Sequence, residues 1–154
     1  MDEHDLPPII DLLPHQGVMV LLDRLVAVEE DFCACETVVR ASGMFHAKSG
    51  GLPAYMGVEL MAQTIAALSG YQLWRAGRPI EPGFLIGAPQ WVSRTGAFAP
   101  GSRLRIEARC VWGDTELMRF SCRILAWPEG ESLQEGEINV FKPKNVGEFL
   151  KANP

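Results

Sequence analysis

The stretch LPAYMGVELMAQTIAALSGYQLW, residues 52–74, is almost entirely apolar or small and carries a single charge, Glu59. Pro53 stands at its entry and Gly77 and Pro79 lie just beyond Trp74, so the spacing predicts one long helix. Its apolar residues run all round the helix instead of forming a stripe, which requires other structure to wrap it on nearly every side. Glu59, Gln63, Thr64 and Gln72 interrupt the run, and a bilayer needs about 20 largely apolar residues. The segment therefore reads as a core helix. A carboxylate on such a helix must be paired, neutralised or used.

Outward from the helix, the chain reads as strands. Val18 to Val28 and Phe32 to Ala41 form a candidate hairpin, with Cys33, Cys35, Thr37 and Val39 on its more apolar face. A Gly/Ser-rich loop, Ser42 to Leu52, leads into the helix. Beyond it lie Phe84 to Thr95, Arg103 to Trp112, Glu116 to Trp127 and Ser132 to Phe141, separated by Ala99-Pro100-Gly101, Gly113-Asp114 and Pro128-Glu129-Gly130. Those turn residues predict consecutive antiparallel hairpins. The result is an α+β fold, a curved antiparallel sheet around one long central helix, in a single domain over residues 1–154. The segment Gly136 to Phe141 reads as an edge or dimer strand.

The formal charge of −5 is spread along the chain and no Lys/Arg block occurs, which disfavours a nucleic-acid partner. The opening MDEHDLPPII has no basic region followed by an apolar one, so a cytoplasmic protein is expected, with no membrane span. Cys33, Cys35, Cys110 and Cys122 show neither C-x-x-C nor a His at ligand distance, and read as buried free thiols with no metal. His46 lies seven residues before Pro53, where the loop would bring an imidazole to the cavity mouth beside Glu59. On position alone Glu59 also fits the first helical turn, where a carboxylate favours the dipole, and His46 fits a solvated loop residue. His15 reads as a hydrogen-bonded turn histidine and His4 as part of a frayed terminus. Asp23 and Arg24 are expected to pair with each other, and Trp91, Trp112 and Trp127 to serve core or interface packing.

Two segments carry a family resemblance. LPHQGVMVLLDRL, residues 13–25, resembles the entry strand of the β-hydroxyacyl-acyl-carrier-protein dehydratases, and LPAYMGVELMAQTIAA, residues 52–67, resembles their central helix, with its Glu followed by Met-Ala-Gln. GFLIGAPQWVSRTGAFAPGSRLRIEARCVW is similar to the strands that follow, more weakly. The resemblance implies a hotdog fold of five or six strands around one helix. It implies a dimer with edge-to-edge sheets, and an interfacial site pairing the His of one chain with the helix acid of the other. Glu59 matches that acid. His46 matches the histidine in an altered loop, His46-Ala47-Lys48-Ser49 in place of His-Phe-Pro-Gly, and Pro53-Ala54 stands where the family has Pro-Gly. These departures resemble an offshoot associated with aryl-polyene or polyketide-like pathways.

The resemblance implies dehydration of a 3-hydroxyacyl thioester. His46 would take the C2 proton and return it to the departing hydroxyl. Glu59, its pKa raised by burial, would bind that hydroxyl and donate to it. Backbone groups of Gly50, Gly51, Tyr55 and Gly57 would hold the thioester oxygen, and Gln63, one turn after Glu59, would fix its rotamer. Ala62, Ala66 and Ser69 would leave room for an acyl chain. No cofactor is expected beyond the phosphopantetheine arm of acyl carrier protein or CoA. The expected partners are acyl carrier protein, docked on Lys48, Arg75, Arg78 or Arg94, and a second hotdog chain, identical (a homodimer or higher homo-oligomer) or different (a heterodimer). The competing functions are a thioesterase, in which Glu59 activates water, and a noncatalytic acyl-binding subunit of a heterodimeric dehydratase.

Overall fold

In the computed structural model, the described residues are 5–152 without Met44, Ser49 and Thr115, and for Val146 the backbone alone. His4 and Ser49 lie outside the described residues. The central helix α1 runs Met56–Arg75, and its buried residues, from Met56 and Gly57 through Leu60, Met61, Ile65 and Leu68 to Tyr71 and Leu73, lie on every side. Wrapping accounts for this: α1 packs against a curved antiparallel sheet on one side and the N-terminal segment on another.

The strands are β1 (Arg24–Val28), β2 (Phe32–Val38), β3 (Leu52–Pro53), β4 (Phe84–Gly87), β5 (Val92–Ser93), β6 (Ala97–Phe98), β7 (Arg103–Gly113), β8 (Leu117–Ala126) and β9 (Ser132–Phe141); a short helix α2 (Val146–Ala152) follows. The main sheet has the order β1-β2-β7-β8-β9-β4, with β5 also on β9. β4 pairs with residues 139–141 of β9 and β5 with residues 134–135. The two short pieces thus share one position, and the sheet has seven strands in six places. β3 and β6 form a separate two-stranded ladder. This is the hotdog arrangement.

Several expectations change. The ladder of the first strand begins at Arg24, not Val18, because Gly17–Met19 forms a 3-10 turn and the Leu21 N–H is taken by Gln63 Oε1 at 3.0 Å. The run Phe84 to Thr95 breaks in two and does not form a hairpin with the next strand; both pieces cross to β9. β9 is consequently interior to the sheet, not its edge. The short pairs β3 and β6 and the helix α2 have no counterpart in the predicted elements. Phe149 of α2 packs at a tilt against Phe84 and Phe141, with ring centroids 4.9 and 5.4 Å away.

Polar groups are placed as deliberately as apolar ones. Asp23 does not pair with Arg24: it accepts from Arg40 and from the Val38 N–H, while Arg24 donates to Glu36 at 2.6 Å and Arg103 to the same oxygen at 3.2 Å. Gln134, fully buried, donates to Ala54 O and Ser93 Oγ and accepts from Trp91 Nε1, tying the start of α1 to β5 and β9. Trp112, by contrast, is exposed. Cys33, Cys35 and Cys122 are buried and Cys110 partly so, all four free; burial pushes the Cys122 thiol up to about 12, which leaves it unreactive. Among the described residues no helix is long and apolar enough to cross a membrane.

Candidate active site

The N-terminal segment crosses one row of α1, residues 59, 63 and 70, which helical spacing brings to one side. At Gly70 the crossing is so close that a Cβ would sit 1.9 Å from Leu12 O, and Leu12 is fully buried there. Gln63, also fully buried, donates to Met19 O at 2.7 Å and to Glu59 Oε1 at 3.0 Å, and accepts from the Leu21 N–H. Between these two anchors the chain delivers His15, whose Nε2 lies 3.4 Å from Glu59 Oε1.

The carboxylate therefore has an imidazole partner within its own chain, and that partner is His15. His46 lines a different, smaller cavity of about 250 Å³ with Val20, Thr37 and Phe45, and neither Glu59 nor His15 lines it. The expectation that one loop brings His46 and Glu59 to a common mouth is thus not met within one chain. The Nδ1 atoms of His15 and His46 are both buried with no hydrogen-bond partner among the described residues.

Burial, the largest influence on Glu59, pushes its pKa up, but the hydrogen bonds from His15 and Gln63 and the charge of His15 outweigh it. The carboxyl ends below its ordinary 4.5, where burial alone was expected to raise it. Glu59 in the resting site is an acceptor, not a proton donor.

Glu59 and His15 stand at one end of a cavity of about 730 Å³ between α1 and the sheet, floored by Ala62, Ile65 and Ala66 and roofed by Met118, Phe120 and Val140. Ser69 lines it as well, so all three small residues expected to leave room along the helix do line a cavity. The backbone groups expected to hold the thioester oxygen do not line this cavity within one chain. The Gly50 N–H donates to Ala47 O and the Gly57 N–H to Ala54 O. Gly51, at φ +80°, is needed because a Cβ would lie 2.3 Å from Phe98 O, and Gly57 because a Cβ would meet Gln134 Oε1 at 1.7 Å. Tyr55 is exposed at the helix entry, and none of these four lines the Glu59 cavity. Of the four basic residues considered for docking, Arg78 faces Glu81 and Arg94 faces Glu135. No group of three His, Cys, Asp or Glu able to hold a metal occurs among the described residues.

His15 was visible in sequence as part of the Leu-Pro-His segment and was read as a turn residue. Its place beside Glu59 is set at long range: Gly70 and Gln63 are the helix positions against which the N-terminal segment lies.

Comparison with known proteins gives a consistent picture. The chain is 27% identical over 146 residues, covering 92% of each, to the 3-hydroxyacyl-[acyl-carrier-protein] dehydratase FabZ of Bartonella bacilliformis. Its structure matches that of the dehydratase heterocomplex ApeI:P from Xenorhabdus doucetiae with a TM-score of 0.86 and 26% identity, over 97% of this chain and 99% of that one. The acetyl-CoA-bound smu.793 protein of Streptococcus mutans shares the fold at a TM-score of 0.63 and 14% identity, over 84% and 94% of the two chains. The sequence model of the ApeP-like family, described as ApeP dehydratase, matches residues 7–151. With the match spanning nearly the whole chain, the protein belongs to the ApeP-like dehydratase family.

Proposed function

We propose that this chain dehydrates 3-hydroxyacyl thioesters at the Glu59–His15 pair, as one subunit of a two-chain hotdog assembly. The observation that carries the reading is a carboxylate held ionised by an imidazole and an amide at the mouth of a long apolar cavity. Both contacts fall on Oε1 of Glu59, so Oε2 would accept from the substrate's C3 hydroxyl and orient it.

In this reading the lone pair that takes the C2 proton is on His15 Nε2, since Nδ1 is buried; the C2–H electron pair becomes the C2=C3 bond, and the C3–O bond breaks. The same proton passes from the imidazole to the departing oxygen, which leaves as water. Glu59 stabilises the imidazolium formed in between. Gln63 is a positioning residue: it holds Glu59 and the two backbone groups that set the course of the His15 segment. Donors for the thioester oxygen would come from the second subunit, since Gly50 and Gly57 use their N–H groups within the chain. The two-chain assembly rests on the heterocomplex named for the Xenorhabdus relative, and the thioester is proposed to arrive on acyl carrier protein.

The test is loss of water, read by mass spectrometry, from a 3-hydroxyacyl-acyl-carrier-protein incubated with the chain, alone and with a second hotdog chain. Glu59→Gln and His15→Ala should each lower kcat/KM by roughly 10²–10⁴, the range of general acid–base contributions. Undiminished water loss by Glu59→Gln sinks the assignment, and release of free acid in place of enoyl product would make the protein a thioesterase.

A further inference from the structure

The cavity that opens at Glu59 does not end in hydrocarbon. Ten residues of helix separate Glu59 from Ser69, about 15 Å at the helical rise, and the cavity follows α1 over that length. Along β9 every second side chain faces α1, and Gln134, Gly136, Ile138 and Val140 form that buried row. Lys142 is the next member of the row. Its half-buried Nζ donates to Ser69 Oγ at 2.9 Å, and it lines the cavity with Glu81.

An ammonium at the end of an apolar channel is costly unless something polar meets it. Burial draws the Lys142 pKa down, the charge of Glu81 draws it up and that of Arg78 down, so the lysine and Glu81 act on each other across this end. Gln72 Nε2 donates to Glu30 O, which brings the β1–β2 turn, with Glu30 and Asp31, to the same end of the cavity. Of the charged residues there, Glu81 and Arg78 are the ones that act on Lys142, and Arg78 also faces Glu81. A neutral group that both accepts and donates can meet the ammonium and the Glu81 carboxylate together, whereas a methyl terminus would strip water from Lys142 without replacing it.

We propose that the far end of this cavity recognises a neutral hydroxyl on the acyl group, which accepts from Lys142 and donates to Glu81. The inference rests on the reading of Glu59 as the place where the thioester end reacts, and it names the substrate class: 3-hydroxyacyl thioesters whose chain carries a second hydroxyl near its end. Spanning about 15 Å takes on the order of ten to twelve zigzag carbon–carbon bonds of about 1.5 Å each.

The experiment is calorimetric binding of unreactive acyl-pantetheine amides of that length, ending in methyl, hydroxyl or carboxylate, to the 154-residue chain. The hydroxyl-ended ligand should bind about tenfold more tightly than the methyl-ended one, the worth of one well-made hydrogen bond. Lys142→Met should abolish that preference, and Ser69→Ala, which leaves the lysine in place, should keep it. Equal or tighter binding of the methyl-ended ligand, tightest binding of the carboxylate, no binding of any of the three, or an unchanged ranking in Lys142→Met would each overturn the proposal. Because binding is read without turnover, a chain that prefers the hydroxyl yet releases no water would refute the dehydratase reading and leave this one standing. A chain that dehydrates methyl-ended and hydroxyl-ended substrates equally well would refute this one alone.

Discussion

His15 and His46 each bury an Nδ1 with no hydrogen-bond partner among the described residues, but they line different cavities and have different surroundings. His15 faces a carboxylate at 3.4 Å and is delivered by a stretch anchored at Leu12, Met19 and Leu21. His46 sits in a loop whose hydrogen bonds are local turns, such as its own N–H to Gly43 O, and a Cβ on Gly43 would meet its ring at 2.6 Å. Family likeness in sequence favours the second histidine, and geometry within one chain favours the first. The difference teaches that a motif match locates a loop, whereas catalytic pairing depends on what holds the loop against the acid.

The strongest way to break that comparison is to ask whether the imidazole comes from the same chain as Glu59. His15→Ala should lose roughly 10²–10⁴ in kcat/KM, while His46→Ala should stay within a few-fold of wild type. Mixing Glu59→Gln subunits with His15→Ala subunits and allowing exchange should restore nothing, because no chain then holds both members of the pair. Recovery of about a quarter of wild-type activity, the statistical yield of one intact site in half of the mixed two-fold dimers, would show a site shared across the interface. If His46→Ala were the dead variant, the sequence match would have outranked the geometry.

A second contrast lies between two glycines. A methyl group on Gly70 would lie 1.9 Å from the backbone carbonyl oxygen of Leu12, and backbone cannot step aside; Gly43 faces only the His46 side chain. Gly70→Ala should cost about 2–3 kcal/mol through overpacking, a fall of roughly 5–10 °C in Tm for a chain of this size, and should cut activity by displacing His15. Gly43→Ala should turn His46 and leave both stability and turnover nearly unchanged. Thermal melts paired with the water-loss assay distinguish the two. A stable, active Gly70→Ala would mean that the N-terminal segment does not need its close seat on α1.

The central helix and the three long strands β7, β8 and β9 were legible because each carries a strong local signal: an apolar run closed by Gly77 and Pro79, or an alternating run closed by Pro and Gly. What escaped was decided at long range. Gly87 and Pro89 are a local signal for the break at residues 88–91, but nothing local says that both pieces lie along β9, since strand partners are chosen by the packing of distant residues. The Asp23–Arg24 expectation failed for a simple geometric reason: neighbours in a strand point to opposite faces, so each found its partner on another segment. At the site, Glu59 and Gln63 were legible from helical spacing alone. The place of His15 beside Glu59 was not, because it depends on a close approach at Gly70, 55 positions away in sequence, and the glycines at 51 and 57, read as donors, each also admit a neighbour that a Cβ would meet.

The finest test of the contrast concerns charge. Isolated burial would make Glu59 a stability burden when ionised, but its hydrogen bonds with His15 and Gln63 reverse the sign and leave its pKa below 4.5 in the folded chain. A depressed carboxyl stabilises the fold above its unfolded pKa, and the contribution disappears as pH falls through the folded value. Glu59→Gln should therefore melt slightly below wild type at pH 7, and the gap should close on acidification below 4.5. The effect is small because the carboxylate is one-third exposed and partly screened. The same pair of melts in a His15→Ala background should show a smaller gap at pH 7, since one of the two groups holding the charge is gone, whereas His46→Ala should leave the gap at its wild-type size. A Glu59→Gln variant more stable than wild type at neutral pH would mean that burial wins after all, and that the carboxyl is held protonated and ready to donate.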